Sequence, residues 1–482
     1  MARRTADLIP RTPSKLLITA LFAAGLLLSL MTHGTGVTTN DPERNIWIPD
    51  ELTMPLRLQV AYNDEDILFR YRWPQDEPHL YLDVLRYSDG RWVRYGTSPV
   101  GPDPHGIYED RVTMLVDDGS VPEFGRYGGY LTVGDGMRFF TNAATREEIA
   151  AHPVLGPEGR SDIRKHLPAT RSDPGDWRTL VDEDTLAAQR RAGYFLDLWH
   201  WRAHRSNPID VSDDQFVAQY RFGDSGRGPY FTNWDGEARQ PRLMFDREAV
   251  GIHALRWEDV SNNIADFDDI YYLAEEFAVP FDPEYAWQEG DVIPRRVLRE
   301  PAGSRGDIRV DGQGRFTDGQ WDVTLRRALD TGNPQEDKIM HDGGVYDVGI
   351  AVHRDATGSR WHYVSMPHQV GLGRKAEIQA ARFEGDSPDW NQVPTYDITL
   401  FYPGQVNWPR LNSEIHAGAE YIRQGVPVKF RHNEAQLAQY GVEIEFEREI
   451  RRQWFLTLLL GVALIISFVV SASLLLGRKK ED

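Results

Sequence analysis

Alternating apolar and polar side chains constrain the fold of this chain more than any other sequence feature. In residues 56–62, and again in residues 67–73, an apolar side chain occupies almost every second position. A short polar turn at residues 63–66 separates the two runs. Successive side chains of a strand point to opposite faces, so two such runs around a turn predict a β-hairpin.

A second hairpin is predicted late in the chain. Residues 346–352 alternate in the same way, a polar turn follows at 354–359, and a further apolar run occupies 361–366. Residues 321–329 add another strand. This spacing predicts a mainly β protein, an antiparallel, immunoglobulin-like β-sandwich with insertions.

Helices are predicted to be few and short. The candidates are residues 147–151, 185–192, 413–424 and 434–440. Residues 155–178 and 280–320 are rich in proline, glycine and charge, which predicts loops or long insertions.

Both ends of the chain carry the pattern of membrane segments. Residues 454–476 contain no charge, and at ~1.5 Å per residue they reach about 34 Å, enough to cross a hydrocarbon core of ~30 Å. Residues 16–31 are apolar and follow a basic cluster, the layout of an uncleaved signal anchor. We therefore expect two flanking transmembrane helices.

These segments predict three parts: residues 1–35 as the N-terminal anchor, residues 36–445 as the main domain, and residues 446–482 as a transmembrane helix with a short basic tail. The excess of Lys and Arg near the N-terminus places that end in the cytoplasm. The expected location is the inner, cytoplasmic membrane with a periplasmic main domain.

Composition excludes several classes of site. There are 54 Lys and Arg against 73 Asp and Glu, a net charge of −19, which argues against nucleic acid as a partner. The absence of cysteine excludes disulfides, iron–sulfur clusters, cysteine-ligated zinc and covalently attached haem c. No phosphate-binding loop, His-Glu-x-x-His motif or nucleophile elbow is present, so no catalytic residues are predicted.

Two kinds of residue pattern leave a metal site open. The acidic pairs and runs at Asp213-Asp214 and at residues 266–269 are compatible with calcium, but neither has a full ligand ladder, which favours solvated loops. His200 and His204 lie four positions apart and share a face of either a helix or a strand. For them, packing or hydrogen bonding is favoured over metal ligation.

Five stretches resemble a known family. The sequence YFLDLWHWRAHRSNP at residues 194–208 resembles a hallmark of the ethylbenzene dehydrogenase-type haem-binding proteins, also described as the cytochrome c-552/dimethyl sulfoxide reductase-like haem-binding domain. The other motifs follow the family's order, at residues 108–114, 226–234, 321–327 and 361–365. The resemblance spans roughly residues 45–435. It implies a β-sandwich that binds haem and passes electrons, with one haem b held by a methionine and a lysine or similar ligand in members without a covalent link.

The chain departs from those relatives that attach haem covalently. They carry Cys-x-x-Cys-His ahead of an Asp-x-Met-Arg-like run. Here that run is Asp135 to Arg138, and no cysteine precedes it. At the place of a second attachment motif, only the histidine, His432, is retained. Haem b without a covalent bond is therefore the expected cofactor.

The resemblance and the residue types together give the candidate haem ligands. Met137 and His362 are the expected axial pair for the haem iron, because His362 lies about where the family has its lysine. His353, Met114 and His432 are further candidates. Both methionines have an alternative interpretation as core residues, and Met114 in particular alternates with two valines.

The predicted function is that of a membrane-anchored haem b-binding protein. It would be an electron-transfer or accessory subunit of a periplasmic redox complex, without catalysis of its own, and its partner would be a quinol-oxidising or cytochrome component. Two alternatives stay open: a haem-free β-sandwich that binds a carbohydrate or another ligand, and a scaffold for a multihaem cytochrome.

Overall fold

The computed structural model of the chain describes residues 53–95, 107, 109–133, 146–153, 156, 165–173, 176–262, 267, 269–312, 314–353, 363–401, 452 and 455–470. The chain divides into two compact units, Asp50–Asn433 and Met1–Pro49 with Glu434–Asp482. The first unit contains the strands and the site discussed below. In the second unit, residues 452 and 455–470 are helical.

A large sheet forms the centre of the first unit. Within the described residues it has fourteen strands. They are β1 (Thr53–Tyr62), β2 (Asp66–Pro74), β5 (Arg111–Asp117), β6 (Leu196–Arg202), β7 (Asp213–Val217), β8 (Arg221–Gly223), β18 (Arg309–Val310), β19 (Arg315–Thr317), β20 (Gln320–Ala328), β21 (Val345–His353), β22 (Tyr363–Val364), β23 (His368–Leu372), β24 (Ile378–Arg382) and β25 (Tyr396–Phe401). The order along the sheet is β18-β20-β2-β1-β24-β23-β21-β5-β6-β7-β8.

The predicted hairpins are present. β1 and β2 pair antiparallel with Tyr62 opposite Ile67, and the side chain of Asn63 accepts hydrogen bonds from the backbone of Glu65 and Asp66 in the turn. β21 pairs antiparallel with β22, with Val352 opposite Tyr363. The prediction of a mainly β protein with few helices is confirmed. A strictly antiparallel arrangement is wrong, because β24 runs parallel to both β1 and β23.

The main sheet curls back on itself around an aromatic core. Trp73 of β2 packs edge-on against Trp201 of β6 at 6.1 Å and stacks on Trp321 of β20 at 6.0 Å between ring centroids. Phe69 of β2 meets Trp199 of β6 in the same way at 5.4 Å. β2 and β6 are far apart in the strand order, so these contacts place two parts of one sheet face to face, as the layers of a sandwich. The immunoglobulin-like form itself stays a prediction.

Hydrogen bonds also close a ring of six strands within the described sheet. β25 pairs with β1 and with β22, and β22 pairs with β21. The ring continues from β21 through β23 and β24 back to β1. Closure removes free strand edges on this side of the sheet, which protects it against edge-to-edge pairing.

The described chain also contains four smaller sheets: β10–β11, β12–β15, β13–β16–β3–β4 and β14–β17–β9. Their strands are β3 (Val84–Ser88), β4 (Arg91–Tyr95), β9 (Tyr230–Thr232), β10 (Trp234–Asp235), β11 (Gln240–Pro241), β12 (Leu243–Phe245), β13 (Leu255–Arg256), β14 (Leu273–Ala274), β15 (Ala278–Pro280), β16 (Asp291–Pro294) and β17 (Arg296–Leu298). Residues 280–320 were predicted to form loops or long insertions. Short strands cross this region, so the loop interpretation is wrong, whereas the insertion remains a prediction.

The helices of the first unit are short. In chain order they are α1 (Pro122–Thr132), α2 (Arg146–Ala151), α3 (Glu183–Arg191), α4 (Arg247–Val250) and α5 (Trp257–Ser261), with 3-10 turns at Pro168–Thr170, Asn207–Ile209, Glu275–Phe277 and Gly303–Gly306. α2 and α3 confirm the helices predicted at 147–151 and 185–192. Asp182 caps α3 by accepting a hydrogen bond from the backbone N–H of Thr185. The helices predicted at 413–424 and 434–440 lie outside the described residues.

The predicted membrane segments receive no support. Residues 455–470 are helical within the run 454–476, yet no helix of the described residues has both the length and the apolar character needed to cross a membrane. Residues 16–31 lie outside the described residues.

Candidate functional site

The strand β6 separates two polar sites, because all seven of its residues are buried. Alternation places Asp197, Trp199 and Trp201 on one face, which we call the tryptophan face. Leu198, His200 and Arg202 lie on the opposite face, which we call the histidine face. The sequence predicted that His200 and His204 share a face. His200 lies on the histidine face of β6, but His204 lies in the turn after the strand and so is not part of that face.

The histidine face gathers a row of basic side chains across three strands. His353 at the end of β21 lies opposite Arg111 of β5, and Arg111 lies opposite Arg202 of β6. Directly paired residues of antiparallel strands point to the same face. The three side chains are therefore neighbours, and all are buried. We call this row, with His200, the histidine–arginine cluster.

Two buried carboxylates balance part of this charge. Asp213 Oδ2 accepts a hydrogen bond from Arg202 Nη1 at 2.8 Å, and its Oδ1 accepts one from Arg305 Nε at 3.0 Å. Burial alone would raise the pKa of Asp213, but Arg202 and Arg305 outweigh burial and lower it. Asp213 is thus held in its charged form.

Glu109 is the second buried carboxylate that pairs with arginines of the cluster. Its Oε1 lies 2.6 Å from Arg205 Nε and 3.3 Å from Arg111 Nε, and its Oε2 accepts the backbone N–H groups of His204 and Arg205 at 2.9 Å. Burial opposes the charge of Glu109, but Arg205 and Arg111 lower its pKa to about 2. A carboxylate with this many donors is a strong anchor for the surrounding arginines.

His200 presents a hydrogen-bond donor rather than a metal ligand. Its Nδ1 lies 2.9 Å from Arg202 Nη2 and 3.2 Å from Gln215 Oε1. The shorter contact is with a guanidinium, which can only donate. Nδ1 therefore accepts, and the single proton of the neutral ring is on Nε2. Burial, followed by the charges of Arg202 and Arg111, lowers the pKa of His200 well below its usual value, so the ring stays neutral. Nε2 has no hydrogen-bond partner among the described residues.

His204 has the opposite tautomer. Its Nδ1 lies 2.7 Å from the carbonyl oxygen of Leu80, so Nδ1 carries the proton and Nε2 carries a lone pair. Burial lowers the pKa of His204. In the described part of the chain, Nε2 has no hydrogen-bond partner. Sequence reasoning favoured packing for both histidines. Only the hydrogen bonds of the fold distinguish His204, whose Nε2 lone pair could bind a metal, from His200, whose Nε2 carries a proton.

Further arginines extend the positive charge beyond the row. The guanidinium carbons of Arg202, Arg205 and Arg296 lie 5.7, 5.2 and 5.8 Å from the ring centroid of Tyr230. Burial opposes ionisation of the phenol, but Arg202 and Arg205 outweigh it and lower the pKa of Tyr230 to about 8. A phenol acidified in this way marks a region with more positive than negative charge, suited to an anion.

Met114 lies in the apolar core. It is opposite Ile350 on one side and Trp199 on the other, which places it on the tryptophan face. Its sulfur accepts a hydrogen bond from Tyr71 Oη at 3.1 Å. Met114 and His353 therefore lie on opposite faces of the sheet, and the structure does not bring these two candidate ligands together. This position favours the core interpretation of Met114.

The remaining candidate ligands, Met137, His362 and His432, lie outside the described residues. Tyr363, which follows His362 in the chain, pairs with Val352, which precedes His353.

Sequence reasoning missed a second polar site, on the tryptophan face. The carboxylates of Asp197, Asp214 and Asp337 lie within 4.8 Å of one another, and all three are buried. The prediction that Asp213-Asp214 is a solvated loop is wrong, because both residues belong to the fully buried strand β7. The available signal was an aspartate between two leucines, at Leu196-Asp197-Leu198.

Comparisons with known proteins agree with the resemblance of the motifs. Cytochrome c-552 of Stutzerimonas stutzeri is 29% identical over 98 residues, which cover 20% of this chain and 33% of that protein. This chain thus spans about a third of the length of that curated relative. The family described as Ethylbenzene dehydrogenase matches residues 31–365, which is more than half of the chain. The chain belongs to the ethylbenzene dehydrogenase family.

Proposed function

We propose that this chain is a haem-binding electron-transfer protein, an accessory subunit of a redox complex with no catalytic site of its own. The observation that carries the proposal is the family match across residues 31–365. The partial likeness to a cytochrome supports the haem. The histidine–arginine cluster supports it on physical grounds, since it combines buried imidazoles with arginines in excess.

The cofactor is a haem b, because a thioether link needs a cysteine and the chain has none. Met137 and His362 are the proposed axial ligands, as the resemblance implies, with His432 behind them. Met114 is a poorer candidate, since its sulfur is already hydrogen bonded in the core. Bound at this site, haem supplies one-electron exchange at its iron.

The described residues fit the other end of a haem, its two propionates. Arg111 and Arg202 are buried guanidiniums in one row, and arginine binds carboxylates with paired hydrogen bonds. The Nε2–H of His200 is a further donor beside them. His353, the last residue of β21, lies in the same row. These groups orient an anionic edge and neutralise its charge.

The proposed setting is a membrane. The uncharged run 454–476 and the basic residues around both terminal apolar runs support an anchored chain whose main domain faces the periplasm. There it exchanges electrons between a quinol-oxidising or cytochrome component and a soluble oxidoreductase.

The test is a pyridine haemochrome assay on the full-length chain, purified in detergent after expression with ample haem. We expect one haem b per chain, and we expect His362→Ala to lose most of it. His341→Ala is the matched control, because His341 is exposed. A colourless wild-type chain would overturn the proposal in favour of a haem-free binding module or scaffold, and a fully loaded His362→Ala variant would remove His362 as a ligand.

A further inference from the structure

Four buried aspartates converge on the tryptophan face, and we call them the aspartate cluster. Asp197 of β6 and Asp214 of β7 share this face, since Asp214 lies opposite Trp199. Asp224 directly follows β8, and its backbone N–H donates to the carbonyl of Asp214 at 3.2 Å. Asp337 comes from the connection between β20 and β21. All four have exposed fractions of 3% or less.

One cation, Arg327 of β20, pairs with this cluster in the described structure. Its Nη1 lies 2.6 Å from Asp197 Oδ2 and 3.1 Å from Asp337 Oδ1, while its Nη2 donates to the carbonyl of Lys338. Lys338 is nearby, but its Nζ is directed at Asp117 and Asp118, at 3.0 and 2.7 Å. The cluster therefore holds more negative than positive charge.

Several carboxylate oxygens of the cluster have no hydrogen-bond partner in the part of the chain that the structure describes. They are both oxygens of Asp214, Oδ1 of Asp197 and Oδ1 of Asp224. Asp214 is fully buried, with an exposed fraction of 0%. Buried carboxylates are ordinarily hydrogen bonded, paired or bound to a metal, so an acid with both oxygens unpartnered points to a missing ligand.

The electrostatics of the cluster agree with this geometry. Burial, followed by the neighbouring charges of Asp224 and Asp337, raises the pKa of Asp214 well above its usual value. Burial and the same kind of crowding also raise the pKa of Asp224. Carboxylates that repel one another in this way are relieved by a cation between them.

We propose that Asp197, Asp214 and Asp337 bind one Ca²⁺ ion, with Asp224 at the edge of the site. Oxygens within 4.8 Å of one another all lie within about 2.8 Å of a common point, so small side-chain movements bring them to ~2.4 Å from an ion, the usual Ca²⁺–oxygen distance. The ligands are oxygens alone, which disfavours zinc. The site is buried and built from protein groups, which favours Ca²⁺ over Mg²⁺, an ion that usually keeps several waters.

The ion ties together parts of the fold that are distant in sequence. Asp197 belongs to β6 and Asp214 to β7. Arg327 belongs to β20, and Asp337 to the connection that follows β20. β20 packs on β6 across the aromatic core. The Ca²⁺ ion thus crosslinks the two layers of the main sheet, and its removal loosens their packing.

The experiment measures Ca²⁺ binding to the full-length chain after chelation and dialysis, by equilibrium dialysis with radioactive calcium and by thermal unfolding. We expect one Ca²⁺ per chain, and a rise of roughly 5 °C in Tm at a Ca²⁺ concentration about 100 times Kd. Mg²⁺ at the same concentration should give a smaller rise. Absence of stoichiometric binding to the wild-type chain would overturn the proposal.

Asp214→Asn separates an ion site from a purely structural acid. The amide keeps the shape but removes one repelling charge, so we expect this variant to unfold in chelator at the wild-type temperature or above. Its Ca²⁺ affinity should fall by about tenfold or more, because ligand charge sets that affinity. Asp322→Asn is the control, since Asp322 pairs with Arg70 outside the cluster. An unchanged Ca²⁺ response in Asp214→Asn would contradict the site.

Tb³⁺ luminescence tests the site in the wild-type chain, so the test does not depend on the folding of any variant. Tb³⁺ is a common substitute for Ca²⁺ in oxygen sites, and a nearby indole sensitises its emission. Trp199 lies opposite Asp214, so excitation of tryptophan in the wild-type chain should give Tb³⁺ emission that Ca²⁺ displaces. Emission that Ca²⁺ does not displace, or none at all, would count against the proposal.

Discussion

The two faces of β6 and β7 bury opposite charges and treat their carboxylates in opposite ways. On the histidine face, Asp213 and Glu109 each meet at least two guanidiniums, and both pKa values fall. On the tryptophan face the described residues include one guanidinium, Arg327, for several aspartates, and the pKa values of Asp214 and Asp224 rise. Burial is equally severe on both faces, so the number of partners decides the sign of each shift.

This difference also indicates what each face lacks. Among the described residues, the histidine face has a spare donor at His200 Nε2 and more guanidiniums than carboxylates, and is suited to an anion such as a haem propionate. The tryptophan face has spare acceptors, at Asp214 and Asp197, and is suited to a cation. Two sites of opposite charge can lie on one strand because successive side chains point to opposite faces.

The largest expected effect comes from removing the guanidinium of Arg327, which pairs with the aspartate cluster. Arg327→Met leaves buried aspartates without their partner, and we expect a loss of about 3–5 kcal/mol in the free energy of unfolding. Chemical denaturation checks this. The neighbouring Arg326→Met should cost about 0–1 kcal/mol, because Arg326 pairs with Asp66 nearer the surface. Equal losses in both variants would mean that the cluster is already neutral without Arg327.

The next largest effect concerns Glu109 on the histidine face. Its pKa falls from 4.5 to about 2 on folding, so its stabilising effect is present above pH 4.5 and is lost as the pH falls through 2. The shift corresponds to about 3 kcal/mol. In Glu109→Gln this loss between pH 4.5 and 2 should disappear. Thermal unfolding across that range, compared with the wild-type chain, measures it, and parallel curves would contradict the pairing.

The smallest effect separates packing from ligation at Met114. Met114→Leu keeps the volume of a core side chain, so it should cost less than about 1.5 kcal/mol and leave the haem content of the purified chain unchanged. Met340→Leu, at another buried methionine, is the control for the substitution itself. Loss of haem in Met114→Leu alone would show that the tryptophan face, and not the histidine face, approaches the iron.

Local sequence patterns were enough for the elements they span. The alternation of residues 56–73 predicted β1, the turn at Asn63 and β2, because a hairpin is made by residues a few positions apart. The absence of cysteine was enough to exclude covalent haem. The family resemblance rested on ordered motifs, and the family match confirms it.

The sites needed more than local pattern. The same Asp213-Asp214 pair that suggests a solvated loop lies in a fully buried strand, where Arg202 and Arg305 pair with Asp213. His200 and His204 look alike in sequence, but Arg202 and the carbonyl of Leu80 assign them opposite tautomers.

The sequence by itself determined that the chain is mainly β, that it contains no sulfur tether for haem, and that it shares the motifs of its family. Only the tertiary structure decided that β24 lies parallel to β1 and that Asp337 reaches Asp197, a residue 140 positions earlier in the chain. The physical reason is that periodicity sets which face a side chain takes, whereas the packing of the whole sheet sets what that face meets.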